Sequence, residues 1–265
     1  MKERLDIILV ERRLVESRVK AQWLIRNKFV KVEDEIITKP GKKIDLTRNV
    51  ELLKEFPYVG KGGLKLEEAI NQFSISIKNK ICADIGASIG GFTDCLIKKG
   101  ALRVYSIDTA TNLLHPSLLC EKMKGRVVPL LGIDARKLDK LQEKIDLCTV
   151  DVTFTSLKDI LPRMKELMRK DGDIITLVKP LFEGDFHTEN KFKIIIEPDT
   201  LHQILADLQV WGEENGFFSQ DLIKSPLKGK GGSIEFFFHF RLDGKKTNFD
   251  LKEKFDIIMK TLGKN

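Results

Sequence analysis

The sequence predicts a mixed α/β fold: a Rossmann-like parallel sheet covered by helices, preceded by a small α+β module. Three observations carry this. From Leu64 to about residue 178, short apolar runs alternate with stretches of helical periodicity, the pattern of βα units. Residues 84–94, Asp-Ile-Gly-Ala-Ser-Ile-Gly-Gly-Phe-Thr-Asp, put a glycine-rich turn between a strand and a helix, the corner that binds nucleotides in open parallel sheets. Residues 1–31 hold nine Lys or Arg and four acids, which is +5 of the net +7 carried by all 265 residues.

The basic module comes first. Helical spacing runs over residues 4–11, with Leu5, Ile8 and Leu9 on one face. It resumes over 17–28, with Val19, Trp23 and Leu24 on one face and Ser17 as N-cap. Short strands are expected at 29–32, 36–37 and 50–53, with a turn at Pro40-Gly41. Arg4, Arg12, Arg13, Arg18, Lys20, Arg26 and Lys28 gather on and before the second helix. A basic helix on a compact platform tracks phosphates, although the same charges also suit a solvated face. Pro57, Gly60, Gly62 and Gly63 mark a connector. The expected division is 1–57, a linker at 58–63, a main domain at 64–244 and a C-terminal helix at 245–265.

In the main domain, strands are expected at 81–85, 103–107, 126–130, 146–150 and 173–178. Helices are expected at 64–73, 91–99, 113–123, 136–143 and 156–168. A helix at 200–215 then leads to two strands, 217–224 and 233–240, joined by the turn Pro226 to Gly232. Strands joined that closely predict an antiparallel addition to the sheet.

Composition narrows the function classes. With 42% hydrophobic residues the chain can bury a sizeable core, and its pI near 9.1 suits an acidic polymer such as nucleic acid, or solubility alone. Cys82, Cys95, Cys120 and Cys148 form no C-x-x-C pair, which argues against zinc and against a disulfide framework. The apolar run Ile7 to Val10 is too short for a signal peptide, and no run approaches the ~20 residues of a membrane span. The expectation is a soluble, cytoplasmic protein without metal.

The candidate chemistry lies at the predicted strand ends, where open parallel sheets bind ligands. Gly86 permits a tight turn, and Gly90 and Gly91 permit close approach of backbone to a ligand. The acid Asp84 repels a pyrophosphate and suits a cationic ligand; S-adenosylmethionine, with its ammonium and sulfonium, fits that electrostatics. The same motif also serves as a ligand-free turn. Asp108, seventeen residues after Gly91, is placed to accept both hydroxyls of a ribose, or to cap a helix. Asp134 is placed to meet an adenine, or to cap a helix start. Asp151 and Lys179 end the fourth and fifth strands. A lysine after the apolar run Ile174 to Val178 is costly unless paired or functional, so Lys179 is a candidate base, or it snorkels to solvent. Lys65 and Glu235 also stand in apolar surroundings, and two bases with two acids can offset each other's desolvation in one cleft.

Two resemblances follow from these residues. Arg4-Leu5-Asp6, the stretch Leu14 to Ala21, Ile25, Phe29-Val30-Lys31-Val32 and Lys39-Pro40-Gly41 resemble an S4 RNA-binding domain. The ordered set Lys65, Asp151, Lys179, Glu235 resembles the K-D-K-E tetrad of FtsJ-like ribose 2′-O-methyltransferases. Tyr58 to Leu66, Asp84 to Asp94, Asp151 to Leu157, Leu177 to Glu183, and Ser225 to Glu235 extend the likeness, so that about residues 3–240 resemble the TlyA (haemolysin A) family of rRNA methyltransferases. The resemblance implies a class I methyltransferase domain beside the S4 domain. It implies S-adenosylmethionine as cofactor, held by Asp84, Gly86, Ser88, Gly90, Gly91, Phe92, Asp108 and Asp134. It implies catalysis by Lys65, Asp151, Lys179 and Glu235, with the N-terminal bases on RNA. The implied reaction is methyl transfer to a ribose 2′-hydroxyl of ribosomal RNA, at cytidine, with rRNA or ribosomal subunits as partner and no DNA; oligomeric state stays open.

The chain departs from the family pattern at the first hairpin (Val32-Glu33-Asp34 for Val-Asn-Gly), at Thr109 to Asn112, at Ile133 to Ala135 and at Asn190 to Glu197. Three rivals fit parts of the sequence: an inactive S4-type RNA-binding protein, a small-molecule methyltransferase, and a haemolysin, which no apolar span supports.

Overall fold

The computed structural model describes residues 1–184, 194–245 and 247–262. It divides into two compact units, Met1–Lys61 and Gly62–Asn265. The first unit runs β1 (Lys2–Arg4), α1 (Leu5–Glu11), α2 (Arg18–Arg26), β2 (Val30–Val32), β3 (Glu35–Ile36), β4 (Lys43–Asp45) and β5 (Val50–Leu52). Strand β2 is central, antiparallel to β3 and β5. Leu5, Ile8 and Leu9 of α1 pack with Ala21, Leu24 and Ile25 of α2 and with Val30, Val32, Ile44 and Val50. The inward face of α2 is thus centred on Ala21, Leu24 and Ile25, and Val19 is half exposed, a correction to the expected face. The small Ala21 admits close approach, while Trp23 packs at the rim, edge-on to Phe56 at 5.2 Å. Ser17 caps α2, accepting from the Lys20 amide at 3.4 Å. The ribbon of β1 and β4 was not expected, because Lys-Glu-Arg and Lys-Ile-Asp show no apolar alternation; backbone pairing alone joins them.

The second unit opens with α3 (Gly62–Gln72), then β6 (Ile81–Ile85), α4 (Gly91–Lys98), β7 (Arg103–Asp108), α5 (Pro116–Leu119), β8 (Val127–Leu131), β9 (Ile145–Val150), α6 (Leu157–Leu167) and β10 (Met168–Val178). It continues with α7 (Pro180–Glu183), α8 (Pro198–Glu214), β11 (Phe218–Lys224), β12 (Phe236–Arg241) and α9 (Leu251–Leu262). The seven strands stand in the order β11-β12-β10-β9-β6-β7-β8. Strands β6 to β10 are parallel to their neighbours, and β12 is antiparallel to both β10 and β11. The apolar run of β12 is covered on both faces, which is why Phe236, Phe237, Phe238 and Phe240 are all fully buried.

Two expected helices shrink. In place of 113–123 there is one turn, α5, followed by a 3-10 turn at Glu121–Met123; Pro116 fixes the start of α5. In place of 136–143 there is a 3-10 turn, Ala135–Lys137. There the Arg163 guanidinium takes the carbonyls of Leu138 and Asp139, groups a helix would have needed. The last helix starts at Leu251 rather than at 245 and docks Leu251, Phe255 and Ile258 into the main core; expected residues 246 and 263–265 lie outside the described residues, as does 190–193. Among the described residues no helix is long and apolar enough to cross a membrane.

This topology brings the chemistry to one edge. Strands β6, β7, β9 and β10 all point their carboxyl ends there. Since β12 runs the other way, its beginning joins them, with Phe236 paired to Val178.

Candidate active site

Asp151 leaves β9 and Lys179 leaves β10, two adjacent parallel strands paired through Thr176 and Val150. Their side chains meet as an ion pair, Nζ to Oδ1, at 2.6 Å. Oδ1 is buried and meets the ammonium without the alignment of a hydrogen bond. One step past the last β10–β12 pair, Glu235 is the residue opposite Lys179. Glu235 is buried and ion-paired to Lys65, which rises from the first turn of α3 and is also buried. The four residues therefore stand as two ion pairs, three of them at the ends of neighbouring strands and Lys65 on α3. Burial of the Lys65–Glu235 pair is tolerable because each charge has its counter-charge.

Beside the first pair lies a cavity of about 540 Å³, within the range of small-molecule sites. Asp151 and Lys179 form one end, and Gly86, Ser88, Asp108, Asp134 and Phe154 line the rest. Asp108 accepts from the Ser88 amide at 2.7 Å and the Ala110 amide at 2.8 Å, one on each oxygen. Among the described residues it has no ion-pair partner, and each oxygen keeps a lone pair for a hydroxyl donor. Asp134 is tied up differently. It caps its own 3-10 turn and is forked by Arg136, whose hydrogen bonds hold the carboxyl at about 2.

Four expected ligand contacts fall elsewhere. Asp84 is fully buried under the loop and faces hydroxyls: Thr93 donates to it at 2.6 Å, Thr149 at 3.3 Å, and Ser106 meets Thr93 at 2.8 Å. Burial pushes its carboxyl up to about 7, against the Thr93 hydrogen bond. Gly90, at φ +93°, leaves room for protein: a Cβ there would lie 2.3 Å from a Leu118 methyl. Gly91 abuts Gly62 and Gly63, and Phe92 is buried near Phe237, their rings 6.1 Å apart. Gly86 is needed at its φ of +81° because a Cβ would lie 2.3 Å from the Asp151 carbonyl oxygen.

Two residues went unread in the sequence. Phe154 is 77% exposed at the cavity wall, in the left-handed region at φ +65°, with its ring 5.4 Å from that of Phe182. Glu183 is buried among groups of the Asp151 loop. A Lys-Pro-Leu-Phe-Glu run that puts an acid one turn after Lys179 was the available signal for the second; nothing in the sequence shows exposure for the first.

In the first unit the basic residues divide. Arg4 and Arg18 converge on the buried Asp6, at 2.9 and 3.2 Å, and Arg4 above all holds that carboxyl well below its usual range. Arg12 donates to the carbonyls of Leu46 and Arg48, and Lys20 pairs with Glu16. Arg13, Arg26 and Lys28 are exposed and have no side-chain partner among the described residues. Arg13 and Lys28 follow the ends of α1 and α2 at φ of 58° and 66°, positions where glycine is favoured.

Comparison with known proteins agrees with this architecture. The family model for FtsJ-like methyltransferases matches residues 58–242 and that for the S4 domain matches 3–50. The chain is 38% identical over 250 residues to YqxC of Bacillus subtilis, provisionally named an rRNA methyltransferase, covering 92% of this chain and 87% of that one. It is 31% identical over 242 residues to the 16S/23S rRNA (cytidine-2′-O)-methyltransferase TlyA of Mycobacterium tuberculosis, covering 90% and 89%. A solved structure from Streptococcus thermophilus, provisionally named a hemolysin, superposes with a TM-score of 0.73 at 32% identity, covering 100% of this chain and 98% of that one. The chain therefore belongs to the FtsJ-like methyltransferase family, in the S4-domain branch that includes TlyA.

Proposed function

We propose that this protein methylates a ribose 2′-hydroxyl of ribosomal RNA, at cytidine, with S-adenosylmethionine as donor. The observation that carries the reading is the Asp151–Lys179 pair at one end of a cavity whose far wall holds the unpaired carboxylate of Asp108. The cavity residues fit the cofactor: Asp108 offers acceptors for two ribose hydroxyls, and the acidic wall suits a cationic nucleoside. When bound, S-adenosylmethionine supplies a methyl group already activated by its sulfonium.

The protein's part is alignment and proton removal. The Asp151 carboxylate receives the ribose hydroxyl proton, while the Lys179 ammonium faces the oxygen from which it departs. As that proton leaves into the Asp151–Lys179 pair, Lys179 stabilises the negative charge developing on oxygen. Lys65 and Glu235 hold the neighbouring strand end in register. Exposed Phe154 stands at the cavity mouth, where an aromatic face can take a base. Arg13, Arg26 and Lys28 are the bases free to meet phosphates. The names of the relatives support rRNA and cytidine as the target.

The test is labelled methyl transfer to purified ribosomal subunits and to matched naked rRNA, followed by alkaline hydrolysis. Label resistant to alkali at one nucleotide is expected. Label absent from RNA while cofactor still binds would leave an RNA-binding protein that does not turn over.

A further inference from the structure

We propose that Glu183 is a positioning residue that fixes the Asp151–Lys179 pair by tying together the two loops that carry it. This rests on the reading of that pair as the reacting centre.

Glu183 ends α7, one turn after Lys179, which caps the same helix with Pro180 in first position. The amide of Phe182 donates back to the Lys179 carbonyl at 2.8 Å, so α7 and Lys179 form one rigid corner. From that corner the Glu183 carboxylate crosses to the other loop. It accepts from the Ser156 hydroxyl at 2.7 Å and from the Leu157 amide at 2.9 Å. Ser156 and Leu157 begin α6, at the far end of the loop that starts with Asp151. At its near end the same loop is held by the Asp151 amide, which donates to the Ile85 carbonyl at 2.9 Å.

The contacts close a ring: Asp151, its loop, Ser156, Glu183, α7, Lys179 and back to Asp151. The Phe154–Phe182 contact lies across the same two segments. Inside the ring Phe154 holds a left-handed backbone at φ +65°, a conformation that persists only when its surroundings impose it. Besides Asp151 itself, Glu183 is the only acid joining the segments among the described residues. Burial raises its carboxyl above the ordinary range, with the Ser156 and Leu157 hydrogen bonds opposing, so the tie depends on accepted hydrogen bonds and not on charge. A glutamine oxygen at the Oε2 place can accept both donors, at 2.7 Å from Ser156 and 3.2 Å from Leu157.

The experiment compares wild type, Glu183→Ala, Glu183→Gln and Ser156→Ala in the full chain. Three quantities are read: kcat on rRNA, cofactor affinity by calorimetry, and the rate at which trinitrobenzenesulfonate labels Lys179, followed across pH by mass spectrometry. Loosening the pair exposes the amine and misplaces it. Glu183→Ala is therefore expected to lower kcat by about 10- to 100-fold and to speed Lys179 labelling by about tenfold, with cofactor affinity unchanged within about twofold. Glu183→Gln is expected to stay near wild type in all three. Ser156→Ala, which removes one arm of the tie, is expected to show the same changes at smaller size. Labelling still reports on the tie if wild type transfers no methyl to RNA, which separates this inference from the proposed reaction. Wild-type kcat and labelling in Glu183→Ala would overturn it, as would Glu183→Gln as impaired as Ala. If Glu183→Ala fails to fold, wild-type values in Ser156→Ala overturn it.

Discussion

Two acids with basic partners flank the paired part of β10, Asp173 where its pairing with β12 begins and Asp151 beside its carboxyl end, and the two ends do opposite things. Where the pairing begins, Asp173 is saturated: Lys80 meets it at 2.7 Å, His239 at 3.1 Å and Arg241 at 3.2 Å. Burial pushes that carboxyl up, and the hydrogen bonds from His239 and Lys80 overcome it, holding it at about 2. At the carboxyl end, Asp151 of the neighbouring strand end has one cation, an oxygen without an aligned hydrogen bond, and a cavity beside it. The same residue types build a clasp at one end and the proposed reaction centre at the other. Residue type does not separate them; the number of partners already engaged and the presence of a cavity do.

Mutation should pull the two ends apart. Lys179→Ala is expected to lower kcat by about 10³-fold with the melting temperature unchanged, because the cation that stabilises the developing oxyanion in the proposed reaction is lost. Asp173→Ala is expected to destabilise the fold by about 3 kcal/mol, since two cations and the His239 ring lose their shared acceptor, while the folded fraction keeps its kcat. Urea titration beside single-turnover kinetics reads both; loss of activity without loss of stability in Asp173→Ala would break the comparison. Acid sharpens it. The Asp173 carboxyl is depressed from 3.8 to about 2, so its stabilisation is present above about pH 4 and is lost as pH falls through about 2. Asp173→Asn should flatten stability over that window, measured by thermal melts from pH 5 to 2.

The smallest effect tests the same distinction in the first unit, where Arg4, Arg12 and Arg18 are engaged and Arg13 and Lys28 are not. Changing both Arg13 and Lys28 to Gly relieves a left-handed backbone at each, so stability is expected to hold or rise slightly. The salt dependence of RNA binding is expected to lose about one unit of slope per residue. An unchanged slope would assign the RNA contact to other bases.

The glycine-rich corner, the βα alternation and the four charged residues in apolar surroundings were legible because each departs from its surroundings: glycines at a βα junction, charges beside apolar runs. Which cation pairs with which anion was not legible, since the Lys65–Glu235 and Lys179–Asp151 pairs depend on β9, β10 and β12 lying side by side. Asp84 was read as facing a ligand because a strand covered on both faces gives no alternation to show where a side chain points; all five residues of β6 are buried. The basic cluster was legible as charge, but not that Arg12 spends its guanidinium on carbonyls at Leu46 and Arg48. Helical periodicity over 136–143 misled because a distant arginine claims the backbone there.

In the proposed reaction the Asp151–Lys179 pair removes the proton of an RNA ribose hydroxyl. The most direct measurement is labelled methyl transfer to ribosomal RNA by wild type, Lys179→Ala and Asp173→Asn, with cofactor binding followed by calorimetry. The account predicts alkali-resistant label at one nucleotide for wild type and Asp173→Asn, and none for Lys179→Ala with its cofactor affinity intact. Equal labelling by wild type and Lys179→Ala would contradict it.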